Sequence, residues 1–176
     1  MILGLDISTS ITGYTVVDLE GNIIEIGHWN FTNKKKFPTL FSKAYEIRNH
    51  LLRLGHPIEH IYIEAALSVF SMGKSSAQTI STLTKFNGIV SWICYQVFGI
   101  EPEYLRATSA RKMCGITVKR GTPAKEQVMK FLLDKEMYIR VEYSQKGNLK
   151  KHCYDEADAL VIALAGQKCL TEKLKL

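Results

Sequence analysis

Four acidic residues on three separate stretches carry the chemistry this chain can do. Asp6 closes the apolar run ILGLD, Glu64 closes IYIE, and Asp155 and Asp158 stand three apart in YDEADALVIAL. A spacing of three puts the last pair on one face of a helix. Two neighbouring strands can bring Asp6 beside Glu64, and a helix packed across them can add the pair. Carboxylates gathered in this way repel one another and are costly to take out of water without a cation. Hard divalent ions with oxygen ligands resolve that conflict, and Mg²⁺ keeps waters for a phosphate substrate. Two such ions about 4 Å apart can activate water and stabilise the leaving oxygen of a phosphodiester. Taken singly, Asp6 reads as a turn residue and DEADAL as a complement to a helix dipole. Their distribution over three elements is more specific than any one of them. His152, three residues before Asp155, is a weaker candidate. It can bind a metal, orient a water or simply cap the helix.

The elements that must position these acids follow from periodicity. ILGLDI, GYTVVDLEG and NIIEIGHWNF read as three strands joined by tight turns, an antiparallel meander. Leu40, Phe41, Ala44, Ile47, Leu51 and Leu52 have helical spacing after Pro38, with Gly55 as the stop. IEHIYIEAA is a fourth strand, LSVFSMGKSS a polar loop, and residues 77–98 a long helix. IEPEYLR is a fifth strand, and Thr108 or Ser109 is expected to cap a short helix ending near Gly115. After the basic loop ITVKRG, Thr122 and Pro123 open a helix over KEQVMKFLLDKE. YIRVEYSQKGNLKK is ambiguous, and YDEADALVIALAGQKCL is a closing helix. Strands first, then alternating helices and strands, point to a mixed sheet with helices on its faces.

The 176 residues allow one domain with a real core. The 46% apolar and 23% charged contents are globular values. No charge-free apolar stretch reaches the roughly 18 residues of a membrane span, and no signal peptide is expected at Met1. Cys94, Cys114, Cys153 and Cys169 form no paired motif, so reduced thiols and a cytoplasmic location are expected. The net charge of +6 is compatible with a polyanionic partner.

ILGLDISTSITGYTVV, IYIEAA and YDEADALVIAL, in this order, resemble the three acidic motifs of the RuvC-type Holliday junction resolvases. The resemblance covers nearly the whole chain. It implies an α/β, ribonuclease H-like fold with a mixed five-stranded sheet, the first three strands antiparallel and the last two parallel, flanked by helices. It further implies a homodimer that nicks four-way DNA junctions symmetrically, leaving 5′-phosphate and 3′-hydroxyl ends. Two Mg²⁺ ions per site are implied, with Mn²⁺ able to substitute, and no nucleotide cofactor or membrane. By position, Asp6, Glu64, Asp155 and Asp158 are implied as metal ligands. Arg111 or Lys112 in RKMCG is implied as a phosphate contact, and Lys125 in AKEQV as a residue beside the scissile strand. Phe70 resembles an aromatic that stacks on a splayed base, a contact worth about 1–3 kcal/mol. Lys74, Lys119 and Arg120 lie on loops suited to DNA arms. The chain departs from many cellular members in having Ile7-Ser8-Thr9 after the first acid, which fits a phage, viral or organellar member, acting in the host cytoplasm if phage or viral.

Other classes stay open at this point. DISTSITG loosely resembles the first phosphate loop of the actin and sugar-kinase superfamily, although 176 residues leave little room for its two lobes. A non-catalytic DNA-binding module, a ribonuclease H and a broader branched-DNA or flap nuclease are the remaining alternatives.

Overall fold

The computed structural model describes residues 1–66, 76–137 and 140–173. Strands β1 (Ile2–Asp6), β2 (Ile11–Val17), β3 (Ile23–Asn30), β4 (His60–Glu64) and β5 (Glu103–Leu105) form one sheet in the order β3-β2-β1-β4-β5. The β1–β2 and β2–β3 pairs are antiparallel, and β1–β4 and β4–β5 are parallel. This is the mixed sheet expected from the sequence. The central β1 is buried on both faces, so it reads as a continuous apolar run.

Alternation along β1 and β4 divides the core. Leu3, Leu5, Ile61 and Ile63 face α1 (Leu40–Arg53) and α2 (Ala77–Phe98), against Ile47, Leu51, Phe86 and Val90. Ile2 and Tyr62 face the other way, onto the layer that contains α3 (Ala107–Met113), α4 (Ala124–Asp134) and α5 (Lys151–Lys173). Asp6 and Glu64 have the parity of Ile2 and Tyr62. The register pairs Leu5 with Ile63, so the two acids follow side by side at the ends of parallel strands.

Close packing of α5 onto the sheet depends on small residues. A Cβ on Gly4 would lie 2.6 Å from the Ala159 carbonyl oxygen. A Cβ on Gly13 would run into the Asp155 carbonyl, and one on Gly166 into the Tyr62 ring. Gly4 and Gly13 let the helix backbone rest almost directly on β1 and β2, and Gly166 leaves room for the Tyr62 ring of β4.

Several local expectations change. Thr39 caps α1 through a reciprocal bond pair with Ser42, and the helix stops at Leu54 before Gly55. Phe41 and Leu52 are exposed despite their spacing, because the buried stripe narrows to Ala44, Ile47 and Leu51. Neither Thr108 nor Ser109 caps α3, which follows Arg106 without a side-chain cap. The Thr122 hydroxyl donates to the Lys119 carbonyl at 2.7 Å, closing the basic turn, and Pro123 takes the cap position. The ambiguous stretch before α5 contains a bridge between Tyr143 and Leu149. The helix then begins at Lys151, so Asp155 lies in its second turn and not at its dipole end.

Gly13→Ala should cost about 1–3 kcal/mol by overpacking against rigid backbone. Urea denaturation of the variant should show that loss; an unchanged midpoint would mean that α5 can lift away freely.

Candidate active site

The turn after β1 is built by its own hydroxyls. Ser8 Oγ accepts from the amides of Ser10 and Ile11 at 3.2 and 3.1 Å, and Thr12 Oγ1 donates to the Ser8 carbonyl at 3.1 Å. Lys43 of α1 donates to the Thr9 carbonyl at 2.5 Å, fastening this turn to the helix layer. The small polar residues after Asp6 therefore satisfy backbone groups and fix where the strand ends.

Lys125, in the first turn of α4, joins three of the acids. Its Nζ lies 2.9 Å from Asp155 Oδ1, 3.2 Å from Asp158 Oδ2 and 3.9 Å from Asp6 Oδ2. Arg111 of α3 stands 3.5 Å from Asp158 Oδ1. A cavity of about 240 Å³ opens between Asp6, Ser8, Glu64, Lys125 and Asp155. The structure thus brings together all four acids with Lys125 and Arg111.

The carboxylates feel one another. Burial, then Glu64 and Asp158, hold the Asp6 carboxyl well above its ordinary range, and Lys125 only partly offsets them. Burial and Asp158 push Glu64 up to about 7, against the pull of Arg111 and Lys125. Burial works against the Lys125 charge, but Asp6, Asp158 and Asp155 outweigh it and raise its pKa. Were all four carboxyls ionised, they would exceed the two cationic side chains by two charges, an excess that the raised pKa values of Asp6 and Glu64 resist. Asp155 Oδ2 is buried and has no hydrogen-bond partner among the described residues. An all-oxygen donor set, an unsatisfied buried oxygen and this charge excess fit a hard divalent cation.

The other candidates separate. Lys119 and Arg120 border a groove of about 740 Å³ that also reaches Arg111 and Ala124, the neighbour of Lys125. Lys112 is exposed on α3. Phe70 and Lys74 lie outside the described residues. His152 does not join the acids as its spacing suggested; its ring stacks on His28 of β3, with centroids 4.1 Å apart. Sequence reasoning missed Asn87, which lines the acidic cavity from α2 and approaches the Glu64 carbonyl at 3.5 Å. A buried amide on an otherwise apolar helix face was the available signal. It also missed Lys151, at the cavity edge.

No protein-family model matches this sequence, and no curated protein matches it either. Solved structures do. The Thermus thermophilus RuvC structure aligns with a TM-score of 0.61 at 17% identity, covering 97% of this chain and 96% of that one. The same organism's RuvC in complex with a Holliday junction substrate aligns with a TM-score of 0.61 at 14% identity, over 93% and 90% of the two chains. The yeast mitochondrial Holliday junction resolvase Ydc2 aligns with a TM-score of 0.62 at 15% identity, over 99% of this chain and 84% of that one. The fold is that of the RuvC-type, ribonuclease H-like resolvases. In this RuvC-type fold the four acids sit at the ends of β1 and β4 and on α5.

The raised Glu64 pKa carries a stability consequence with a definite sign. Unfolded, Glu64 ionises near its ordinary 4.5; folded, near about 7, so the folded state holds the proton more tightly. This contribution is complete below pH 4.5 and is lost as pH rises towards 7. Thermal melts in chelator should show wild-type protein losing stability across that window relative to Glu64→Gln. Parallel curves would show that Glu64 is not perturbed.

Proposed function

We propose that this chain is a metal-dependent endonuclease that resolves four-way DNA junctions by paired nicks. The carrying observation is the meeting of Asp6, Glu64, Asp155 and Asp158 around Lys125. The RuvC-type fold supports the reading, as does the Holliday junction substrate bound by one structural neighbour.

The four carboxylates would hold Mg²⁺, with Mn²⁺ as a substitute, two ions to a site. Bound in this way, the ions supply Lewis-acid activation of water and of the phosphodiester. The protein's own part is electrostatic preorganisation. Asp6 and Glu64 are fixed by strand register, and Asp155 and Asp158 by the helix packed on glycine. Lys125 keeps two of the acids in place and presents an ammonium group to an arriving phosphate. Arg111 braces Asp158 and faces the groove where Lys119 and Arg120 can grip the backbone of a DNA arm. Such phosphate contacts position the junction without reading its sequence. Phe70 and Lys74 are proposed as junction contacts from the resemblance alone.

Paired nicks require two sites related by symmetry, and α2 offers a surface for a second copy. Trp92 is 57% and Tyr95 49% exposed there, with Tyr104 alongside. These aromatics border a hollow of about 530 Å³ beside Gly88. Large exposed aromatics gathered on one face are the usual mark of an interface.

Cleavage assays should compare a four-way junction, a flap, a linear duplex and an RNA–DNA hybrid, with and without Mg²⁺. Symmetric nicks on the junction alone support the reading; preference for the flap or hybrid moves the protein to a broader nuclease class. Asp6→Asn should keep junction binding and lower cutting by about 10²–10³-fold or more, the scale of one charge-stabilising group. Lys119→Ala and Arg120→Ala should each weaken binding and reduce the salt slope by about 1. Sedimentation at micromolar concentration should give a dimer that Trp92→Glu converts to monomer.

A further inference from the structure

The β3 strand and α5 meet at a second polar cluster, on the far side of β2 from Asp6. His28 stands opposite Gly13 in the sheet register, and Gly13 is where the Asp155 backbone crosses. The next residue of α5, Glu156, reaches His28, with Oε1 2.7 Å from Nδ1. His152, one turn earlier, stacks on the same imidazole with planes 14° apart. One ligand atom from each of the three lies within 4.8 Å of the others.

Two buried atoms of this cluster are left unsatisfied. The Glu156 side chain is 2% exposed, yet its Oε2 has no hydrogen-bond partner among the described residues. The same holds for His152 Nε2, whose nearest acid oxygen, Glu142 Oε2, is 3.7 Å away and paired to Lys150 at 2.8 Å. A hydrogen bond between His28 and Glu156 accounts for one carboxylate oxygen and leaves the other empty. Burial, then the neighbouring His28, lowers the pKa of His152, which favours a neutral imidazole with a free lone pair. A neutral imidazole and a half-used buried carboxylate have in common that one cation can satisfy both.

We propose that His28, His152 and Glu156 form a transition-metal site, for Zn²⁺ or a similar divalent ion, tying β3 to α5 behind the four carboxylates. Two imidazole nitrogens and one carboxylate oxygen suit zinc and its neighbours, whereas the all-oxygen cavity suits magnesium. Binding through His28 Nδ1 requires the ring tautomer that carries its one proton on Nε2, so the imidazole stays neutral and Glu156 gives up the hydrogen bond at Nδ1 for the cation. Glu142 or a water can take the fourth position. The ion would act on the active site only through position, because Glu156 adjoins Asp155 on the same helix. The proposal stands on the cluster itself and does not require the nuclease reading.

Co²⁺ is the probe, titrated into the full chain with Mg²⁺ saturating. One equivalent should bind with the visible absorption of nitrogen and oxygen coordination, and Zn²⁺ should bleach it. Asp6→Asn should retain the band. His28→Asn and Glu156→Gln should weaken Co²⁺ binding by at least about tenfold, since loss of even an outer partner costs that much. Should those variants unfold, histidine ring NMR of the wild type decides. Zn²⁺ should shift His28 and His152 and leave His50, His56 and His60 in place. Absence of a band, thiolate charge transfer, a band unchanged in His28→Asn, or shifts confined to the other histidines would each overturn the site.

Discussion

The acids depend on how closely α5 can lie on β1 and β2. Carboxylates on a strand end and on a helix share one small volume only if the two backbones nearly touch. Here the side chains between them are reduced to hydrogen at Gly4 and Gly13. The same contact that stabilises the layer forces like charges together. Burial and mutual repulsion raise Asp6 and Glu64, while Lys125 bridges Asp155, Asp158 and Asp6. The fold therefore keeps a local electrostatic strain that ordinary packing would remove, and such strain gathers at functional sites.

Lys125 offsets part of the repulsion among these acids. Its position in the first turn of α4 is set by the turn that Thr122 closes and by Pro123. From there one ammonium group reaches acids on two elements. It neutralises only part of the charge, and one Asp155 oxygen has no donor among the described residues. A site that were merely structural would be expected to satisfy that oxygen.

Much of this was legible in the sequence. The five strands and the long helix over 77–98 show as changes in apolar period, and β1 and β4 each end at a carboxylate. The antiparallel meander and the parallel later strands were expected, whereas the order that sets β4 beside β1 is seen only in the structure. Less legible was whatever depends on close contact. Gly4 and Gly13 look like ordinary strand glycines until the helix crosses them. Asn87 was hidden among the apolar residues of α2. Spacing placed His152 beside Asp155, but side-chain direction along α5 sends its ring to His28 instead. Thr108, Ser109 and Thr122 have the right chemistry for caps, yet the first two fall inside α3 and the Thr122 hydroxyl turns to the Lys119 carbonyl.

The sheet has two open borders, and each is blunted in its own way. At one border, β5 is only three residues long. At the other, β3 runs for eight residues, but its pairing to β2 shifts register between Val16 and Val17. Short or irregular edges make poor templates for another chain's backbone. Growth by strand addition is thereby discouraged, which leaves helical faces such as that of Trp92 and Tyr95 as the surfaces better suited to another chain.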